Sequence, residues 1–373
     1  MRKRVLLIAL AIFTLTACSK SKTTLSVKQT VSIMAVSPTG RILPNDSLIT
    51  ITGAFYLKKS PTRVVLNRFT EAVLKNDSTF IRPEKARTQS GVCIYLATNS
   101  SKITFNFEKR DSSWYRYSTY GIFRNGKLIH EVAISPEHPV YSVSAVKPDS
   151  LGAKAMVTWM VALPHFYGLN FTGITVDSGS TYAKVIPPAK VYVAIGNSIT
   201  HGTGQKGSYQ TYPFLLAQKK HWTLYNLAVG GSRTSWPVAT LLQGKKADVI
   251  TILWGYNDWN AGFTLDQERT YYRRLVEELL RAQPKAQIHC ITPTFTYRTA
   301  PKRGDLSLDD LRNVQTQVVQ SFQNKGFDNL HLLHGEAITD STYLSPKGSK
   351  DIVHFTVEGA AKFADQLAGV IKD

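Results

Sequence analysis

The second half of the chain alternates strand-like and helix-like segments, and this alternation restricts the possible folds more than any other feature. Between residues 189 and 373, short apolar runs rich in β-branched residues are separated or followed by longer segments with apolar residues at helical spacing. Such alternation predicts a parallel sheet with helices on both faces. The predicted strands are KVYVAI, WTLYNLAV, DVITILWG, AQIHCITP and NLHLLHG, and the predicted helices are YPFLLAQKK, LDQERTYYRRLVEELLRAQ, LDDLRNVQTQVVQSFQNKG and VEGAAKFADQLAGVIK.

Residues 30–185 show a different pattern, in which apolar and polar residues alternate over short segments. KITFNFEKR places its apolar side chains on one face of a strand, and Asn-Gly at 125–126 lies between two such segments, a strong hairpin signal. No convincing amphipathic helix interrupts the pattern, so we expect an all-β sandwich, jelly-roll-like. The two prolines at 187–188 mark the boundary between the two predicted domains.

The N-terminus reads as a targeting segment rather than as part of either fold. MRKR precedes a 13-residue apolar run, VLLIALAIFTLTA, which is too short to span a bilayer, and Cys18 follows. LTAC resembles the lipobox of bacterial lipoproteins, which implies an acylated Cys18, and an ordinary signal peptide is the alternative. We therefore expect a signal over 1–18, a linker over 19–29, and an exported lipoprotein anchored to the periplasmic or cell-envelope membrane by its lipid alone.

Charge narrows the classes of partner. The net charge is +19, and residues 18–188 hold 21 basic and 10 acidic side chains, so most of the excess lies in the predicted β domain. A basic surface attracts polyanions, although a generally solvated surface explains the charge equally well. Export and the lack of any nucleic-acid-binding motif argue against nucleic acid. Cys93 and Cys290 are expected to be buried free thiols, with a disulfide as the alternative.

Residues able to do acyl chemistry stand where the predicted parallel strands end. Ser198 follows the first strand in GNSIT, and it needs a base within reach to act as a nucleophile. The second strand runs into Gly230-Gly231 and the third into Asn257, which offer backbone and amide N–H groups for a developing oxyanion. Because reactive groups gather at the carboxyl ends of parallel strands, these residues are expected to lie together.

An acid and an imidazole lie on one segment near the end of the chain. Asp351 and His354 are three residues apart in KDIVHFTVEG, directly before the last predicted helix, for which Thr356 is a plausible N-cap. At this spacing the carboxylate can hold one ring nitrogen and leave the other to accept a serine proton.

These four blocks, in this order, resemble the motifs of the SGNH (GDSL-type) hydrolase family. They stand here as Gly-Asn-Ser at 196–198, Gly231, Gly-Tyr-Asn-Asp at 255–258, and Asp-Ile-Val-His at 351–354. The resemblance implies a flavodoxin-like domain over 189–373 in which Ser198 is the nucleophile, His354 the general base and Asp351 its orienting partner. The implied oxyanion donors are the Ser198 and Gly231 N–H groups and the Asn257 amide, and no metal or organic cofactor is implied. Asn197 replaces the family's usual aspartate.

A sandwich placed before such a domain is similar to the arrangement of several bacterial carbohydrate esterases. This resemblance implies a serine esterase that removes acyl groups, acetyl above all, from a glycan, and the basic charge would suit an acidic one. One alternative is a lipid or thioester acylhydrolase, and another is a catalytically silent glycan-binding lipoprotein. The oligomeric state is not predicted. The candidate substrate contacts are Trp254, Trp259, Arg233 and His201.

Three further signals are weaker. HGTGQKGS at 201–208 lacks the lysine of a phosphate-binding loop, so a loop beside the active site is favoured. His331 and His334 would point to opposite faces of a strand, which argues against a metal pair. WYRY at 114–117 could stack against sugars, but aromatic residues of a sandwich more often pack in its core.

Overall fold

The computed structural model describes residues 34–77 and 79–372. The predicted signal peptide, Cys18 and the linker 19–29 lie outside these residues, so lipidation and export stay predictions. No helix within the described ranges is long and apolar enough to cross a membrane. The described residues form one compact unit, so the β-rich and α/β parts are described together, and the boundary between them stays a prediction.

Residues 34–183 form two antiparallel sheets packed face to face, as the alternating pattern predicts. One sheet has the order β1-β13-β6-β11-β8-β9 with β3 beside β6, and the other has the order β10-β7-β12-β5-β4 with β2 beside β12. The strands are β1 (Met34–Ser37), β2 (Arg41–Ile42), β3 (Thr50–Thr52), β4 (Tyr56–Lys59), β5 (Val64–Asn67), β6 (Cys93–Thr98), β7 (Lys102–Lys109), β8 (Ser118–Arg124), β9 (Lys127–Ile134), β10 (Ser142–Val146), β11 (Val157–Ala162), β12 (Leu169–Val176) and β13 (Ser180–Ala183).

The predicted hairpin is confirmed by its turn geometry. β8 and β9 pair antiparallel, and Asn125 and Gly126 between them have φ values of 48° and 80°. Two positive φ values in a two-residue turn match the right-handed twist of the flanking strands. The apolar faces of the two sheets meet in a core that includes Phe105, Trp159 and Phe171.

The β-rich part is not free of helices, which the sequence pattern did not reveal. Two short helices, α1 (Glu71–Asn76) and α2 (Pro83–Ala86), lie in the connection between β5 and β6. The Thr70 hydroxyl caps α1 by accepting the Val73 N–H, and a proline begins α2. Helices of six and four residues are too short to show a clear helical period in a sequence.

Residues 191–370 form the predicted parallel sheet with helices on both faces. The sheet has the order β15-β14-β16-β17-β18, and every neighbouring pair is parallel. Its strands are β14 (Val191–Gly196), β15 (Thr223–Asn226), β16 (Val249–Leu253), β17 (Gln287–Ile291) and β18 (Leu330–Leu333). The helices are α3 (Ser198–His201), α4 (Tyr212–Lys220), α5 (Tyr256–Asn260), α6 (Leu265–Ala282), α7 (Leu308–Gln323) and α8 (Val357–Val370).

Each face of this sheet is covered by a pair of long helices. α6 and α7 bury one face through residues such as Leu275 and Val318, and α4 and α8 bury the other through Leu216 and Phe363. The predicted N-cap of α8 is confirmed, because the Thr356 side chain accepts the Gly359 N–H. The α5 and α3 helices begin just past β16 and β14, so their first turns lie at the carboxyl edge of the sheet.

Both remaining cysteines are free and buried, as expected from the sequence. Cys93 lies in β6 and Cys290 in β17. Burial raises the pKa of each thiol to about 12, so both stay protonated and unreactive near neutral pH.

Candidate active site

The candidate nucleophile lies at a tight turn between a strand and a helix. β14 ends at Gly196, and Ser198 is the first residue of α3. A Cβ on Gly196 would clash with Thr200 Oγ1 and lie 2.8 Å from the Leu253 carbonyl oxygen, so only glycine fits there. The Asn197 side chain caps α3 by accepting the Ile199 N–H. An amide oxygen thus suffices in place of the family's aspartate to hold this turn.

Ser198, His354 and Asp351 form one continuous hydrogen-bonded chain. The Ser198 Oγ lies 2.8 Å from His354 Nε2, and His354 Nδ1 lies 2.8 Å and 3.0 Å from the two Asp351 carboxylate oxygens. With Nδ1–H donating to the carboxylate, Nε2 is left to accept the serine hydroxyl proton. The structure thus brings these three predicted residues together, and their catalytic roles stay a prediction.

The carboxylate of this chain is held in its charged form. Burial alone would raise the pKa of Asp351, but the hydrogen bond and charge interaction with His354 outweigh it, and the pKa falls to about 2. The backbone N–H groups of Val353 and His354 also donate to Asp351 Oδ1. A carboxylate charged across the whole neutral range favours the imidazolium that forms when His354 takes a proton.

The two glycines after β15 have different hydrogen-bonding states. The Gly230 N–H donates to His201 Nδ1 at 2.8 Å, whereas no acceptor within the described residues takes the Gly231 N–H. Gly231 is exposed and has a φ of +80°, a conformation that favours glycine. Of the two positions, the structure therefore leaves Gly231 with the N–H free for a ligand, in agreement with the register of the motif.

Asn257 has one amide hydrogen anchored. It lies half-buried in the first turn of α5, and its Nδ2 donates to the Ser232 carbonyl oxygen at 2.8 Å. That bond ties α5 to the segment carrying Gly231 and leaves the second amide hydrogen available.

A buried acid pair behind Asn257 was not anticipated from the sequence. Asp258 and Glu268 have no exposed surface. The Thr234 N–H and hydroxyl donate to the Asp258 carboxylate, at 2.8 Å and 3.2 Å. Burial raises the pKa of both acids, and their mutual repulsion adds to the rise for Glu268. Asp258 thereby joins the segment after β15 to α5, so it supports both candidate oxyanion donors.

Two of the four predicted substrate contacts, Trp259 and His201, are corrected by the structure. Trp259 is 1% exposed, and its indole N–H donates to the Leu306 carbonyl, so it belongs to the core. Trp254 is also 1% exposed, but it lines the cavity beside the triad, so a contact with substrate stays a prediction. His201 is fully buried, and burial lowers its pKa well below the usual value. Flanking a motif in sequence did not mean facing the substrate.

The side chain of Arg233 braces the connection between α1 and α2 in the β-rich part. Its Nη2 donates to the Thr79 carbonyl at 2.8 Å, and its guanidinium lies 4.7 Å from the centre of the Phe80 ring and 5.5 Å from that of Phe263. These contacts give the residue a structural role, and a contact with substrate stays untested.

A narrow cavity opens beside the triad. Its volume is about 10 Å³, which is about the room that one water-sized group needs. It lies between the loops that follow β14, β16 and β17. Its lining includes Asn197, Ile199, Tyr256, Thr294, Phe295 and Val353.

Arg68 in the β-rich part holds the segment that leads to Gly231. It is 1% exposed, and its Nη1 donates to the carbonyl oxygens of Asn226 and Ala228 at 2.7 Å and 2.8 Å. Burial, with a contribution from Arg110, lowers the Arg68 pKa to about 9. Nothing in the local sequence distinguishes this arginine from surface ones, so sequence reasoning missed it.

No metal centre is formed by the part of the chain that the structure describes, since no three His, Cys, Asp or Glu side chains come together there. His331 stacks against His289 with ring centres 4.7 Å apart, and His334 is partly exposed beside Glu336.

Residues 194–362 match the model of the GDSL-like lipase/acylhydrolase family. A search of the curated proteins finds no match.

Three solved structures illustrate the shared fold. The salicylyl-acyltransferase SsfX3 from a tetracycline biosynthetic pathway is 18% identical, with a TM-score of 0.76 over 89% of this chain and 98% of that chain. An acetyl xylan esterase from the rumen bacterium Butyrivibrio proteoclasticus is 14% identical, with a TM-score of 0.60 over 91% and 97%. A family two carbohydrate esterase from Clostridium thermocellum, in complex with cellohexaose, is 16% identical, with a TM-score of 0.57 over 76% and 92%.

At these identities the structural likeness establishes the fold, and the family model carries the assignment of the catalytic part. Residues 194–362 therefore match the GDSL-like lipase/acylhydrolase family, and the protein is an esterase or acylhydrolase of the SGNH type.

Proposed function

We propose that the protein hydrolyses acyl esters, acetyl esters above all, on a glycan, through an acyl-enzyme formed on Ser198. The observation that carries the proposal is the unbroken chain from Ser198 Oγ through His354 to Asp351, with 2.8 Å at each step. A silent binding protein has no need of this geometry.

The first half of the reaction would form the acyl-enzyme. Ser198 Oγ attacks the ester carbonyl carbon as His354 Nε2 takes the hydroxyl proton. The carbonyl π electrons move onto oxygen, and the N–H groups of Ser198 and Gly231 with the Asn257 amide would stabilise that charge. When the tetrahedral intermediate collapses, the bond to the alcohol oxygen breaks, and that oxygen leaves with the proton from His354.

The second half would release the acid. Water attacks the acyl carbon while His354 takes one of its protons. The bond to Ser198 Oγ then breaks, and the serine oxygen recovers the proton from His354. The net reaction consumes one ester and one water and yields an alcohol and an acid.

The cavity beside the triad favours a small acyl group. A volume of about 10 Å³ accommodates roughly one methyl-sized group, and a long acyl chain would have to displace the side chains around it. Tyr256 and Val353 line it and neighbour Asn257 and His354 in sequence, which suits a pocket for the acyl end of the substrate.

Two observations support a glycan as the alcohol part. The first is that two similar structures are those of a family two carbohydrate esterase in complex with cellohexaose, at 16% identity, and of an acetyl xylan esterase, at 14% identity. The second is the position of the β-rich part: Lys85 and Arg82 approach Gly231 from it, so it borders the candidate site. A lipid or thioester substrate is the alternative that the experiment below distinguishes.

The test compares hydrolysis of p-nitrophenyl acetate and p-nitrophenyl octanoate by residues 19–373. We expect turnover of acetate, little turnover of octanoate, and loss of activity in Ser198→Ala. Ser142→Ala, an exposed serine of β10, is the matched control and should behave like the unsubstituted protein. A preference for octanoate would favour the lipid alternative, and acetate turnover that survives Ser198→Ala would exclude this serine as the nucleophile.

A further inference from the structure

We propose that Arg82, Lys85, Arg116 and Trp114 form a subsite that binds an anionic sugar, one carrying a carboxylate or a sulfate, on the alcohol side of the ester. The inference rests on the proposed function and specifies the class of glycan. All four residues belong to the β-rich part, and none belongs to the family motifs.

Two of the cations lie directly beside the candidate oxyanion glycine. A Cβ built on Gly231 would lie 3.7 Å from Lys85 Nζ and 3.9 Å from Arg82 Nε. Gly231 is itself exposed, so this space is open to a ligand. A group bound by these side chains would therefore lie within a few ångströms of the reacting carbonyl.

Trp114 adds an aromatic surface to the same cluster. Lys85 Nζ lies 4.4 Å and the Arg116 guanidinium carbon 5.1 Å from the centre of its ring. Its backbone N–H donates to the Glu84 carbonyl oxygen at 2.9 Å, which fixes the WYRY segment against α2. The ring is partly exposed, and a partly exposed indole is a common surface for stacking a sugar ring.

The positive charges in this cluster are not neutralised by the protein. No ion pair joins Arg82, Lys85 or Arg116 to a carboxylate anywhere in residues 34–77 or 79–372. Burial lowers the pKa of Lys85, and the charges of Arg82 and Arg116 lower it further, with only Glu84 acting against them. Arg82 and Arg116 are exposed and Lys85 is half-buried, and like charges gathered at one site are unfavourable unless an anion joins them.

The position of the subsite indicates which end of the substrate it takes. The narrow cavity is lined by residues 197, 199, 253, 254, 256, 293–296 and 353, and the cationic cluster contributes none of them. If the acyl group enters the cavity, the cluster is left for the alcohol part. A carboxylate or sulfate with a pyranose ring matches the combination of guanidinium, ammonium and indole.

The test measures binding by calorimetry, with residues 19–373 carrying Ser198→Ala so that no ester is consumed. The probes are an unacetylated oligogalacturonate, a sulfated oligosaccharide of similar length, and neutral cellohexaose. We expect an anionic probe to bind more tightly than cellohexaose and its affinity to fall with added salt. Comparing the affinity for the oligogalacturonate with that for the sulfated oligosaccharide identifies which anion the subsite binds.

Variants then assign the binding to these residues. Arg82→Gln with Lys85→Gln should weaken binding of the preferred anion roughly tenfold or more, because charge-assisted hydrogen bonds are lost. Arg116→Gln, on a different segment, should weaken it in the same direction even if the double variant fails to fold. Lys127→Gln removes one charge from the exposed end of the β8–β9 hairpin and should change nothing.

Equal affinity for anionic and neutral probes, or unaltered binding in both sets of variants, would overturn the subsite. Because binding is measured without turnover, such a result leaves the esterase proposal standing. That proposal fails separately, if Ser198→Ala does not abolish hydrolysis of p-nitrophenyl acetate.

Discussion

At the scale of single residues, the site depends on which N–H groups are occupied and which are free. His201 Nδ1 accepts the Gly230 N–H, and since that nitrogen is an acceptor, the proton of the neutral ring must lie on Nε2. Nε2 lies 3.0 Å from both the His165 carbonyl oxygen and Thr88 Oγ1. His201 is thus a positioning residue: it holds the Gly230 N–H, and the N–H of the next residue, Gly231, is left free for the substrate.

Asn257→Ala should lower kcat on p-nitrophenyl acetate by roughly 10²–10³, with a smaller effect on KM, which is typical for loss of one oxyanion donor. The bond from Asn257 to Ser232 is lost as well, so a modest fall in melting temperature should accompany it. Asn260→Ala, three residues along α5, is the control and should retain kcat. An unchanged kcat in the Asn257 variant would remove this amide from the mechanism.

At the scale of elements, the parallel sheet and the triad were predictable, whereas the support from the β-rich part was not. Strands such as VYVAIG can be predicted from their local composition, and a parallel sheet brings the carboxyl ends of its strands together. The connection between β5 and β6 is different, because its function depends on contacts between residues far apart in sequence. Arg68 and Asn226 are separated by 158 positions, and no local pattern records their pairing.

Arg68→Met should both destabilise the protein and impair catalysis. Removing the guanidinium leaves the buried carbonyl oxygens of Asn226, Ala228 and Thr88 without their donor, at about 1–3 kcal/mol for each such group. The loosened segment carries Gly231, so kcat should fall even at temperatures below the melting transition, where the variant is still folded. Arg63→Met, an exposed arginine that pairs only with Glu108 at the surface, is the matched control for thermal melting and kcat. Equal behaviour of the two variants would contradict a supporting role for Arg68.

At the scale of the whole molecule, two buried histidines join the β-rich and α/β parts. The ring of His165 lies between them, with Nδ1 3.0 Å from Ser118 Oγ and Nε2 2.9 Å from the Gly202 carbonyl oxygen. Burial lowers the pKa of His165 to about 3, and that of His201 also lies well below the usual value. Both rings are therefore neutral in the folded protein at physiological pH.

The two histidines should contribute a fall in stability as the pH drops below about 6.5, because between that pH and their lowered pKa values the unfolded chain binds protons at these rings that the folded protein does not. The buried acids Asp258 and Glu268, whose pKa values are raised, contribute with the opposite sign. Each histidine contributes at most about 1.4 kcal/mol per pH unit in this window. Urea unfolding at pH 7.5, 6.0 and 5.0 would measure the slope, and His165→Gln should reduce it. A dependence of the free energy of unfolding on pH that is the same in His165→Gln as in the unsubstituted protein would contradict the prediction.

The hydrogen bonds from Arg68 have a practical consequence for anyone dividing this chain. The change of pattern at residues 187–188 invites expression of the second half alone, since it holds every motif residue. That fragment would lose the guanidinium that holds Asn226 and Ala228 and the carbonyl beneath His201. Its serine, histidine and aspartate could still meet, but the segment carrying Gly231 would lose the support that the β-rich part gives it. The most visible boundary in the sequence is therefore not a place at which the enzyme can be cut.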